Sequence, residues 1–126
     1  MNRSPRVLDV GQCDMDHGMI AAMLRREFGA EVDRAHTEAE ALAALAQTHY
    51  DLVLINRVFD RDGTGGMDIL RRLKSDETTR TMPVMLVSNY PEAQDAAVVA
   101  GALRGFGKAA VESPETIELL AGPLTR

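Results

Sequence analysis

The sequence predicts an α/β domain in which a parallel sheet is covered on both faces by helices. Three observations point there. Strand-like and helix-like stretches alternate along the 126 residues. Two strand-like runs, "DLVLI" (51–55) and "MPVMLVS" (82–88), are apolar almost throughout, as parallel strands buried on both faces tend to be. Each run then meets a polar residue, Asn56 or Ser88, where a loop would begin.

The elements follow in order. "RVLDV" (6–10) is a short strand candidate. "MIAAMLRREFG" (19–29) sets Ile20, Met23, Leu24 and Phe28 at helical spacing, with Gly29 as the stop. "AEVDRA" (30–35) reads as a weak strand. Thr37 and Glu40 have the spacing of a capping box, opening a helix through "EALAALA". The central strand, 51–55, leads through a loop of acids and glycines to "GMDILRRLK" (66–74), where Met67, Leu70 and Leu73 share a helical face. After the run at 82–88, Pro91 opens a helix that continues to Gly101. "LRGFG" (103–107), a glycine-broken fifth strand, ends at Lys108, and Ser113 before Pro114 marks a last short helix, "PETIELLA". Five strands alternating with five helices imply parallel βαβ units. In such sheets the site lies at the carboxyl ends of the strands. The residues to read are therefore Gly11 to Asp14, Asn56, Ser88 and Lys108.

The composition is that of one ordinary domain, taken as residues 1–126 with a core at about 5–121. A chain of this size buries roughly two thirds of its unfolded surface. Its 45% apolar and 26% charged residues are usual for a globular protein. With a net charge of −5 and no Lys/Arg cluster, nucleic acid and anionic membranes are not expected partners. No run approaches a membrane span and the first residues carry no apolar signal core, so a cytoplasmic location is expected. Cys13, the only cysteine, excludes an internal disulfide and suits a reducing compartment.

Three segments, "THYDLVLIN", "MDILRRLKSDETTRTMPVMLVS" and "AGALRGFGKAA", resemble the third to fifth strand regions of the receiver domains of two-component response regulators. The resemblance covers about residues 5–121. It implies a flavodoxin-like (βα)5 fold with a five-stranded parallel sheet in the order 2-1-3-4-5. Receivers accept a phosphoryl group on an aspartate ending the third strand, and the matching position here is Asn56. An amide is no nucleophile for phosphoryl transfer. The family's Mg²⁺-holding acidic pair falls on Gly11 and Gln12, or on Gln12 and Cys13 if a one-residue length difference falls earlier. Neither choice supplies two carboxylates. Ser88 matches the hydroxyl that reads the phosphoryl oxygen, and Lys108 the lysine that pairs with it.

Further departures accompany these. The family's switch aromatic falls on Gly105, and Phe106, one residue along, should face the opposite side of the sheet. Ala109 replaces the proline after the lysine. A cis bond before a non-proline costs about 2.5–4 kcal/mol, so a trans bond is expected. The loop after Asn56 is about two residues longer than usual. Lys108 without its usual partners would pair with Asp9 or Asp60, or stand exposed. Asp60, Asp62 and Asp68 form a solvated acidic loop, lacking the oxygen pattern of a calcium loop. Asp14 and Asp16 suit the first turn of a helix. His17, His36 and His49 share no ligand spacing and are read as solvated surface.

Nucleophile, metal ligands and aromatic relay belong to one function, and all three are missing. The expectation is a degenerate receiver in two-component or phosphorelay signalling: no enzyme, no metal or other cofactor, an interaction module run by protein partners and not by phosphorylation. The resemblance implies a partner or homodimer surface on the fourth helix, fifth strand and fifth helix. Two alternatives stand beside it. One is phosphotransfer on another acceptor, Asp60 or Asp14. The other is a small-ligand domain of the cobalamin-binding kind, whose aspartate–x–histidine–x–x–glycine spacing fails here because Gly18 directly follows His17. Partner, pathway, oligomeric state and any output domain are not legible in the sequence.

Overall fold

The computed structural model describes residues 3–125, so the outermost limits of the predicted domain, 1–2 and 126, lie outside the described residues. Nine elements and one short turn of 3-10 helix follow in order: β1 (Arg6–Val10), α1 (Asp14–Phe28), β2 (Glu31–Ala35), α2 (Glu38–Gln47), β3 (Leu52–Asn56), α3 (Gly66–Ser75), β4 (Val84–Val87), α4 (Pro91–Val99), the 3-10 turn (Lys108–Ala110) and α5 (Pro114–Leu124). The strands pair in parallel in the order β2-β1-β3-β4, with Asp9 opposite both Arg34 and Leu54 and Asn56 opposite Val87.

Strand alternation divides the core into two layers. Leu8, Val10, Val53, Ile55, Val84 and Leu86 pack under α2, α3 and α4 with Ile69, Leu70, Leu73 and Ala97. Val7, Leu52, Leu54, Met85 and Val87 pack under α1 and α5 with Ile20, Met23, Leu24 and Leu120. Every residue of β3 is buried, which explains its unbroken apolar run. Full burial of each Leu or Ile there contributes about 1.5–3 kcal/mol.

Local chemistry sets the helix ends. Thr37 Oγ1 accepts from the Glu40 amide at 3.2 Å, and Glu40 Oε1 accepts from the His36 amide at 2.8 Å, so two otherwise orphan donors are satisfied. Gly29 ends α1 in the left-handed conformation, its N–H donating to Arg25 O. Ser113 caps α5 through the Thr116 amide. Helix α1 begins five residues before the predicted start. Its first turn carries Asp14 and Asp16, which favour the positive end of the helix dipole but show no apolar periodicity.

One element differs from the prediction: the sheet has four strands, not five. Segment 101–107 runs beside β4 without joining it as a strand. It makes a single parallel bridge, Leu103 to Met85, with Leu103 N donating to Val84 O at 2.9 Å. Three glycines in seven residues give it little to pack and much entropy to lose. Its peptide bonds, like all those described, are trans.

Candidate functional site

The carboxyl ends of β1, β3 and β4 converge at one mouth of the sheet. Asn56, only 6% exposed, ends β3 there. Its Nδ2 donates to two backbone carbonyls, Gly11 O at 3.0 Å and Val58 O at 2.6 Å. A carboxylate at this position would meet the same oxygens with no proton to give. The amide is therefore the group that this backbone selects.

Gly11 follows β1 at a φ of 85°, in the region that disfavours side chains. Phe59, from the loop after β3, is buried directly against it, and a Cβ on Gly11 would run into the Phe59 ring. The loop after β3 thus delivers an aromatic ring against the backbone that follows β1. Gln12 is buried, and neither polar atom of its side chain has a hydrogen-bond partner among the described residues. Cys13 is half-buried at the N-cap of α1. A divalent cation of the Mg²⁺ kind needs carboxylate oxygens, and these residues do not fit it. Among the described residues, no three His, Cys, Asp or Glu side chains are grouped as a metal site requires.

The remaining charges have rearranged. Lys108 Nζ lies 2.9 Å from Asp16 Oδ2, so it pairs with neither Asp9 nor Asp60, and its side chain is half-buried. Burial pushes the Asp16 carboxyl up, but hydrogen bonds from Lys108 and Cys13 and the Lys108 charge more than offset this and hold it below the usual range. Asp9, fully buried, instead receives His17, whose Nδ1 lies 2.7 Å from Asp9 Oδ2. His17 is therefore not the solvated surface residue expected. Burial raises the Asp9 carboxyl above its ordinary value, against the opposing pull of His17 and Arg34. Arg34 reaches Asp14 Oδ1 at 2.8 Å and Gln12 O at 3.0 Å. Asp14 itself is 94% exposed, as is most of the loop holding Asp60 and Asp62.

On the β4 side, Ser88 Oγ accepts from the Tyr90 amide at 3.1 Å and so shapes the turn into α4. Gly105 lies so near β4 that a Cβ would overlap the Leu86 carbonyl oxygen. The space beside it is taken by Gln94 of α4. Its Nε2 donates to Leu86 O (2.9 Å) and Ser88 O (3.2 Å), and its Oε1 accepts from the Gly105 amide (2.8 Å). One buried side chain adds to the two backbone bonds, Leu103 N to Val84 O and Ser88 N to Phe106 O, that join this edge to segment 101–107. Phe106 turns to the other face and packs with Val111 and Leu120.

Between β3 and β4 opens a pocket of about 270 Å³, lined by Asn56, Arg57, Ser88, Asn89, Tyr90 and Lys108 among others. The Arg57 guanidinium lies over the Tyr90 ring, 5.0 Å from its centre. Asn56, Ser88 and Lys108 thus line one pocket, and Gly11 adjoins it through its carbonyl, which accepts from Asn56 Nδ2. Phe59, Gln94, Arg57 and the His17–Asp9 contact were not foreseen. Only Phe59 carried a signal: a large apolar residue isolated in an acidic, glycine-rich loop.

No family model matches the chain. Among curated proteins it is similar to the response regulator PleD of Caulobacter vibrioides, 33% identical over 85 residues. The match takes in 68% of this chain and 18% of PleD, so the chain spans less than a fifth of that relative's length. Solved structures are similar over almost the whole chain. A candidate response regulator from Chloroflexus aurantiacus J-10-fl superposes with a TM-score of 0.83 at 24% identity, covering 98% of this chain and 100% of that one. The signal receiver domain of a DNA binding response regulator from Colwellia psychrerythraea 34H gives 0.80 at 20% identity, over 97% and 99%. Strand order, helix placement and these likenesses agree: the chain has the fold of the response-regulator receiver domains.

Proposed function

We propose that the chain is a receiver-type module of two-component signalling that works in the cytoplasm through protein partners, without being phosphorylated and without Mg²⁺. The observation that carries this reading is the bonding of Asn56. Its amide donates to Gly11 O and Val58 O, so the position that would attack phosphorus is an amide locked into the backbone. Phosphoryl transfer depends on a positioned nucleophile and on cations that neutralise the developing charge. Phe59 packs against Gly11, one of the positions that the resemblance matches to the family's cation-holding acids, and Lys108 is committed to Asp16. The tie between Gln94 and Gly105 further removes the aromatic relay that reports phosphorylation in the family this chain resembles.

The partner surface in this reading lies on α4, the adjoining segment 101–107 and α5. Val98, Val99 and Leu103 are exposed apolar side chains there, Val99 at 89%. A protein partner or a second copy of the chain would cover it.

The test is incubation with acetyl phosphate and Mg²⁺ followed by intact-mass measurement. The mass is expected to stay unchanged. A gain of one phosphoryl group overturns the proposal, and peptide mapping would then show whether Asp60, Asp14 or another residue had accepted it.

A further inference from the structure

Helix α1 turns outward a face without charge for about two turns, set between an acidic end and a basic end. We infer that this face pairs with the same face of a second copy of the chain, the two α1 helices antiparallel about a two-fold axis at Ile20. This surface is separate from the one on α4, segment 101–107 and α5. The inference does not rest on the function proposed above.

Three features carry the inference. First, the face is apolar without being core. Met15, 74% exposed, and Met19 stand on it in solvent, with Gly18 and Ala22 exposed beside them. Outward positions of a surface helix ordinarily carry charge, as Arg71 and Arg72 do on α3 and Glu115 and Glu118 on α5. Second, the face allows close approach. A Cβ on Gly18 would meet open space, so nothing within the chain requires a glycine there, although glycine in mid-helix is costly. Against a second helix, Gly18 and Ala22 let the backbones come near while the flexible methionines fill the gap. Third, the two ends complement each other in the antiparallel arrangement. At about 3.6 residues per turn, a two-fold at Ile20 sets Asp14 beside Arg25 of the second copy. It also sets Gly18 beside the second copy's Ala22, and Met19 beside its own equivalent. Among the described residues Asp14 Oδ1 meets Arg34, but Oδ2 accepts no hydrogen bond and Arg25 is in no ion pair. Arg26, next to it, is already engaged by Glu27 and Glu112. The helix dipoles oppose one another in this arrangement, whereas a parallel pair would set acid against acid.

A single pair of helix faces makes a small interface, so the test is sedimentation equilibrium across about 10 μM to 1 mM, where weak complexes dissociate. A monomer–dimer equilibrium is expected. Met19→Glu, which puts two carboxylates side by side near the axis, should abolish the dimer. Arg25→Asp turns two attractions into repulsions and should weaken association about tenfold. Val99→Glu, on the α4 face, should leave it unchanged. All three positions are exposed, so the fold should hold, which circular dichroism checks. Should Met19→Glu unfold the chain, Met19→Cys in a Cys13→Ser background takes its place. Oxidation with diamide should then trap a disulfide-linked dimer, and failure to trap one overturns the proposal. So does a chain that stays monomeric throughout, a dimer that survives Met19→Glu, or a dimer lost in Val99→Glu.

Discussion

His17 reaches inward from α1 to a carboxylate with no exposed surface, its Nδ1 2.7 Å from Asp9 Oδ2 in the middle of β1. Asp9 Oδ1 finds no hydrogen-bond partner among the described residues, and Gln12 and Arg34 are its other polar neighbours. Burial favours the protonated acid and holds this carboxyl above its ordinary value of 3.8. A raised folded-state value adds stability that is complete below 3.8 and is lost as pH rises through the folded-state value. Asp9→Asn carries no such dependence. The variant should therefore gain on the native protein as pH rises from 3.8 upward, the difference levelling once Asp9 is fully charged. Urea denaturation of both proteins across this range checks it; a difference that does not vary with pH would show that the buried carboxyl titrates normally.

Asn56→Asp restores the residue type of a phospho-acceptor but not its surroundings. The introduced carboxylate would face Gly11 O and Val58 O, both of which now accept hydrogen bonds from the Asn56 amide. Leaving buried polar groups unsatisfied costs about 1–3 kcal/mol each, so a clear loss in melting temperature is expected at neutral pH. Acetyl phosphate with Mg²⁺ should still leave the mass unchanged, because Gly11 and Gln12 add no carboxylate. A variant as stable as the native chain, or one that takes up phosphate, would show that this pocket adapts more readily than its bonding implies.

These two residues also mark what a sequence can disclose. Asn56 was legible because buried strands announce themselves by unbroken apolar runs, and the residue ending the run falls at the mouth of the sheet. The alternating order of elements and the caps at Thr37, Gly29 and Ser113 were legible for similar reasons, since each rests on neighbours in the chain. Asp9 showed only as a polar residue in an apolar strand. Its partner, eight positions on, is set by how α1 leans on β1, which no local pattern encodes. The place of "LRGFG" in an alternating series predicts a fifth strand, but the sheet has four. Its glycines and the competing amide of Gln94, eleven residues from Gly105, decided otherwise.

Gln94 therefore makes a specific prediction. Gln94→Ala removes two donated bonds and one accepted bond from the contact between β4 and segment 101–107. The Gly105 amide and the Leu86 and Ser88 carbonyls would lose their side-chain partner, at a cost of about 1–3 kcal/mol in all if water enters the gap. Hydrogen exchange at Gly105 should quicken more than at Val53, which lies in the centre of the sheet. Gly105→Ala should be destabilising for a different reason, overlap with the Leu86 carbonyl. Unchanged exchange at Gly105 in the Gln94 variant would mean that the backbone alone holds this edge.

The Lys108–Asp16 pair predicts behaviour at the acid end. Burial pushes Asp16 up, but hydrogen bonds from Lys108 and Cys13, with the Lys108 charge, hold it below 3.8. A lowered folded-state value gives stability that is present above 3.8 and is lost as pH falls through the folded-state value. Lys108→Met leaves the burial and removes the strongest opposing partner, so the Asp16 carboxyl should titrate at higher pH in the variant. Lys108 is about one third exposed, and screened pairs of this kind contribute roughly 0–1 kcal/mol. The stability difference at neutral pH should therefore be small and should shrink further as the solution is acidified. Carboxyl-carbon NMR titration of Asp16 reads the first effect directly. If its midpoint stays where it is when Lys108 is replaced, the cation is not what holds that carboxylate charged.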